Sequence, residues 1–151
     1  MKVLVDSCAW SLALRRRNDA PLNEEERRIE DVLIEAIKDS RAVLVGPVRQ
    51  EILSGIKHVD QFEKLRESLE AFRDAVIETA DYVQAARFDN RCRAAGVQCG
   101  VVDMLLCAVA NRNGWTILTN DTGLIRCIEV VEREGIETDP KRRGQRLLEV
   151  V

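Results

Sequence analysis

Three short aliphatic runs constrain this chain more than any other feature: "VLVD" at residues 3–6, "AVLVGP" at 42–47 and "TILTND" at 116–121. Each is brief and evenly apolar and stops in an acid or a turn former, as a strand buried on both faces does. Helical periodicity fills the intervals. From Glu24 to Lys38, apolar residues fall at Ile29, Val32, Leu33, Ala36 and Ile37, one face of a helix. "VRQEILSGI" begins a helix after Gly46 and Pro47. Phe62, Leu65, Leu69 and Phe72 recur at spacings of three and four, and Ala80 to Ala95 reads as a further helix. "VVDMLLCAVANRNG" is a nearly wholly apolar helix closed by Asn113 and Gly114, and "EGIETDP" offers a short last strand. Strands alternating with helices predict an α/β fold with a central parallel sheet flanked by helices on both faces.

No repeat, low-complexity tract or long linker divides the 151 residues. One domain over residues 1–140 is expected, with a basic tail at 141–151 packed on it or extending from it. No apolar run could span a bilayer, and one Lys before a strand-like segment is not a signal peptide, so the expectation is a cytoplasmic protein without a membrane partner. Cys8, Cys92, Cys99, Cys107 and Cys127 are odd in number and form no Cys-x-x-Cys pair. That pattern argues against a disulfide framework or a zinc site and reads as small buried hydrophobes. With a net charge of -3, any attraction to nucleic acid must come from local basic patches.

The acids carry the functional signal. Asp6 follows the first strand and Asp121 follows the last of the three runs, so a parallel sheet sets both at its carboxyl edge, where open α/β sheets bind ligands. Glu51, early in the helix after the second strand, and Asp103, in the first turn of the apolar helix, face the same rim. Each also has a structural reading. Asp6 can cap the following helix, Glu51 can be solvated, Asp103 can answer a helix dipole, and Asp121 can turn with Thr122 and Gly123. The neighbours Val101, Val102, Met104, Leu105 and Leu106 suggest that Asp103 is buried, where an unpaired carboxylate is costly. No Lys or Arg lies near Asp6, Asp103 or Asp121 in sequence, and Arg49 points away from Glu51 on its helix.

A hard divalent cation answers this charge. Carboxylates without His or Cys suit Mg2+ or Mn2+, which keep several waters and complete their shell from substrate phosphates. Such an ion lowers the pKa of a bound water and stabilises a phosphodiester under in-line attack, which is hydrolytic cleavage. The single His58 has no partner acid or nucleophile, so Ser-His and Cys-His catalysis fall away, and no Gly-rich phosphate loop is present.

"VLVDSCAW", "VRQEIL", "GVVDMLLCAVA" and "ILTND", in this order from residue 2 to about residue 140, resemble the motifs of PIN-domain nucleases, in particular VapC-type toxins of toxin-antitoxin pairs. The resemblance implies that Asp6, Glu51, Asp103 and Asp121 are the catalytic, metal-holding acids, with Ser7, Thr119 and Asn120 supporting them. It implies a metal-dependent endoribonuclease, dimeric and inhibited by a cognate antitoxin. Many members carry a further Asp and a Phe where this chain has Gly123 and Leu124, a departure that bears on a second metal.

Two basic runs are candidates for gripping RNA: Arg15, Arg16 and Arg17 soon after Asp6, and Lys141, Arg142, Arg143 and Arg146 in the tail. Solvated faces explain such runs equally well. Phe62, Leu65, Leu69, Phe72, Tyr82 and Phe88 could offer an apolar groove to a partner, although core packing is the commoner use. Among rivals, a phosphoacceptor receiver needs an early acidic pair and a late Lys, and a haloacid-type phosphatase needs Asp-x-Asp where Cys8 stands. A PIN domain in RNA maturation without an antitoxin, and a non-catalytic binding module, remain the alternatives.

Overall fold

The computed structural model describes residues 1–14, 21–135 and 148–149. Arg15 to Arg17 and the tail residues Lys141, Arg142, Arg143 and Arg146 lie outside them. The elements run β1 (Val3–Val5), α1 (Ser7–Leu14), α2 (Glu24–Lys38), β2 (Ala42–Val43), α3 (Gly46–Leu53), α4 (Val59–Leu69), α5 (Thr79–Ala94), α6 (Val101–Asn113), β3 (Thr116–Leu118), α7 (Thr122–Gly135) and β4 (Leu148–Glu149). The four strands form one parallel sheet in the order β2-β1-β3-β4. The chain steps from β1 to β2 on one side and returns to β3 on the other, so the strand order reverses between β1 and β3. That is the switch point at which α/β sheets open a crevice.

Local chemistry sets the helix ends. Asn23 and Glu26 close α2 with a reciprocal capping box, each side chain taking the other's backbone N–H, at 2.8 and 3.1 Å. Pro47 sits in the first turn of α3, where its missing N–H costs nothing. Gly114 ends α6 in the left-handed conformation (φ 72°), which glycine adopts without strain. The core joins both helix groups to the sheet: Trp10, Ile29, Leu33 and Leu69 on one side, Phe88, Met104, Leu106 and Ile128 on the other, all fully buried with Leu4 and Ile117.

Several expectations are corrected. The strand at 42–47 is shorter than its apolar run, because Val45 already caps α3 and Leu44 makes only an isolated bridge to Asp74. Phe72 lies beyond α4 rather than on it, its ring meeting Trp10 edge-on at 4.8 Å. Arg49 fixes that segment through Asp74 Oδ1 (2.8 Å) and the carbonyls of Leu69 and Phe72. Glu134 and Gly135 belong to α7 instead of a strand; the rest of "EGIETDP" lies outside the described residues. The cysteines are not all isolated hydrophobes, since Cys99 and Cys127 form a disulfide across 28 positions. Spacing along the chain conceals that pair, because only the packing of α5, α6 and α7 brings the segment before α6 onto α7. No described helix is long and apolar enough to cross a membrane.

Candidate functional site

The register of β1 against β3 builds the centre of the site. Val5 pairs with Leu118, and the Asp6 N–H donates to the Leu118 carbonyl at 3.0 Å, so Asp6 and Thr119 leave the sheet side by side. The Thr119 hydroxyl donates to Asp6 Oδ2 at 2.8 Å. The Ser7 N–H donates to Oδ1 at 2.8 Å, and the Cys8 thiol lies 3.6 Å from Oδ2. The Asp6 backbone carbonyl takes the N–H groups of Ala9 and Trp10, the first bonds of α1, while its carboxylate takes only the first helical N–H, that of Ser7, through Oδ1.

Asp6 is buried, at 5% exposure, and among the described residues no cation pairs with it. Asp81, at 1%, is the instructive contrast. Arg112 grips Asp81 with two hydrogen bonds of 2.7 and 2.8 Å and, above all other influences, holds its carboxyl below the usual range. A buried carboxylate with neutral donors alone lacks the compensation that Arg112 gives Asp81.

Asp121 does two things. Its Oδ1 accepts from the N–H groups of Gly123 (2.8 Å) and Leu124 (3.3 Å), capping α7, while its own N–H donates to Thr119 Oγ1 at 3.0 Å. The structural reading of this acid therefore holds for Oδ1. A Cβ on Gly123 would stand 3.1 Å from that oxygen, so the tight turn suits glycine. Asp103 lies in the first turn of α6 and is half-buried; the flanking Val101 is 88% exposed, so the burial inferred from its neighbours is overstated. Its carboxyl is nonetheless pushed up to about 6. Desolvation is the largest cause, followed by the charges of Asp6 and Asp121, with a smaller push from Glu51 and an opposing hydrogen bond from the Gly100 backbone. All four acids thus share one electrostatic neighbourhood, with Asp6 buried, Asp103 half-buried, and Glu51 and Asp121 exposed.

Glu51 and Asp103 also line one cavity of about 490 Å3 between α3 and the start of α6. A slightly larger cavity, about 510 Å3, opens at the opposite edge of the sheet around Lys2, Asp74, Arg112 and Trp115. It contains none of the four acids. Burial and the nearby Asp6 charge push the Cys8 thiol up, so it serves as a weak donor instead of a thiolate nucleophile. His58 is exposed at the start of α4, as the surface reading anticipates, and Asn120 is half-buried with its backbone directed at Cys8.

The donor set fits a hard cation, being all oxygen and lacking a paired cation among the described residues. The carboxylates stand too far apart for three of them to offer oxygens within 4.8 Å of one another. Asp6, Glu51, Asp103 and Asp121 are the residues that would hold such an ion, which would supply a Lewis acid and an acidified water there.

The model of the PIN domain family matches residues 3–129. The chain belongs to the PIN domain family. PIN domains are generally nucleases and generally use divalent metal ions. The fold is similar to that in the crystal structure of FitAcB from Neisseria gonorrhoeae, with a TM-score of 0.66 over 83% of this chain and 91% of that one, at 20% identity. No curated protein matches this PIN domain in sequence.

Proposed function

We propose that this PIN domain is a Mg2+- or Mn2+-dependent endoribonuclease that hydrolyses RNA phosphodiester bonds and acts as the toxin of a toxin-antitoxin pair. The observation that carries the reading is Asp6: a buried carboxylate held by Thr119, Ser7 and Cys8, all neutral, beside an Asp103 whose carboxyl is pushed up by desolvation first and then by three other acids. Asp6, Glu51, Asp103 and Asp121 would hold the ion, which when bound supplies an acidified water and neutralises charge on the phosphate.

The chain's own groups prepare that chemistry. Thr119 fixes the orientation of Asp6, and Asp121 uses Oδ1 to cap α7, its second oxygen making no hydrogen bond among the described residues. Glu51, exposed at the cavity beside Asp103, is placed to meet the solvent shell of an ion or a substrate. RNA as the substrate, the antitoxin partner and the homodimer rest on the motif resemblance to VapC-type toxins, and the cytoplasmic setting on the sequence pattern at the N-terminus and the want of an apolar span.

The test is purified protein with total RNA, with and without Mg2+ or Mn2+, and mapping of the new ends. Metal-dependent internal cuts are expected, together with a small protein that co-purifies with the chain and blocks them. Cleavage that survives exhaustive chelation would remove the metal mechanism. Cleavage with no such inhibitor, confined to precursor ends, would assign the protein to RNA maturation.

A further inference from the structure

Away from the acids, three sulfurs meet where α5, α7 and the segment before α6 come together. Cys92 on α5, Cys99 in that segment and Cys127 on α7 hold their Sγ atoms within 4.8 Å of one another. Among the described residues no other group of three or more His, Cys, Asp or Glu ligand atoms is as close. Cys92 and Cys127 are fully buried and Cys99 half-buried. The Cys99–Cys127 disulfide accounts for two of the sulfurs, while Cys92 keeps its thiol 3.8 Å from the Cys127 carbonyl.

We propose that Cys92, Cys99 and Cys127, once the disulfide is reduced, bind a divalent thiophilic cation of the Zn2+ kind. Reduction by a dithiol breaks one S–S bond, oxidises the dithiol to its own disulfide and leaves two new thiols. Binding the ion then releases the thiol protons to solvent. Little rearrangement is required, because sulfurs about 2.3 Å from a tetrahedral zinc lie within roughly 4 Å of each other. Cys99 is the one free to adjust: it lies outside the helices, between Gly96 (φ 76°) and Gly100, whereas Cys92 and Cys127 are fixed on helices. Its half-exposure leaves room for a water as the fourth ligand. The soft sulfur set separates this site from the oxygen-only acids, which suit a hard ion. The ion would tie α5 to α7 and to the segment that opens α6, whereas the disulfide ties only that segment to α7.

The inference does not rest on the nuclease reading, and the experiment keeps the two apart. The full chain is reduced under exclusion of air, freed of reductant, and titrated with Co2+ and then Zn2+. One equivalent of Co2+ should produce thiolate-to-cobalt charge-transfer absorption that Zn2+ displaces, and Zn2+ should raise the melting temperature. Both effects should persist in Asp103→Asn and disappear in Cys92→Ala, which still forms the Cys99–Cys127 disulfide on oxidation. If Cys92→Ala does not fold, Cys99→Ser should show the same loss. No charge-transfer band in the reduced parent, an undiminished band in the folded cysteine variant, or a disulfide that resists reduction in the folded chain would each overturn the proposal.

Discussion

Thr119 donates its hydroxyl proton to Asp6 Oδ2 at 2.8 Å and accepts the Asp121 N–H at 3.0 Å, so one small side chain joins two acids from opposite ends of the chain. Thr119→Val keeps the shape and removes both bonds. It should lower stability by about 1–2 kcal/mol and raise the Mg2+ concentration needed for half-maximal cleavage, whereas Thr119→Ser should restore the parent's requirement. Melting curves and Mg2+ titrations of cleavage separate the effects. A Val variant with an unchanged Mg2+ requirement would leave Thr119 only a structural part.

Asp103→Asn should divide function from stability. Its folded carboxyl titrates near 6, above the ordinary range near 4, so the folded chain binds the extra proton between those values. Stability of the metal-free parent should therefore fall as pH rises from about 4 through 6, by on the order of 1–2 kcal/mol once solvent screening is counted. Asp103→Asn should lack that fall, match or exceed the parent's melting temperature at pH 7 without metal, and lose cleavage by orders of magnitude. Mg2+ should stabilise the parent much more than the variant. An active Asn variant with an undiminished Mg2+ response would make this acid structural.

Substitution at Asp121 should discriminate its two oxygens. Asp121→Asn preserves a capping oxygen for Gly123 and Leu124 and should stay within a few tenths of a kcal/mol of the parent, while Asp121→Ala should cost about 1 kcal/mol. Both should lose cleavage. Melting and rate measurements on the pair would refute the assignment if the Asn variant retained full activity.

Replacing Arg15, Arg16 and Arg17 together by Ala should weaken RNA binding and flatten its dependence on salt, since fewer counterions are released. Three lost phosphate contacts correspond to a change of about 2 in the slope for single-stranded RNA. Cleavage at saturating RNA should change less. An unaltered slope would return the cluster to a solvated surface.

The sequence is legible where periodicity and chemistry agree. The bounds of α2 follow from its apolar face and from Asn23, and the stop of α6 follows from Gly114. The placing of Asp6 and Asp121 follows from strands that end at a parallel sheet's carboxyl edge. What depends on side-chain direction is less visible. Val101 looks like a core residue beside Asp103 and is exposed, because it occupies a helix start that faces outward. The contrast between Asp81, answered by Arg112 31 positions away, and Asp6, answered by no described cation, belongs to the packed structure alone. The Cys99–Cys127 pair is hidden for the same reason.

The pairing of Val5 with Leu118 means that Asp6 acquires its Thr119 partner only across 113 positions. A chain still emerging from the ribosome, with Thr119 and Asp121 not yet released, has its earlier acids but neither the hydroxyl that holds Asp6 nor the last acid. If the assignment of the acids holds, synthesis itself is the safeguard: the messenger and ribosomal RNA surrounding a nascent chain meet no competent nuclease until the six described helices before Asp121 have been made and that last acid has left the exit tunnel.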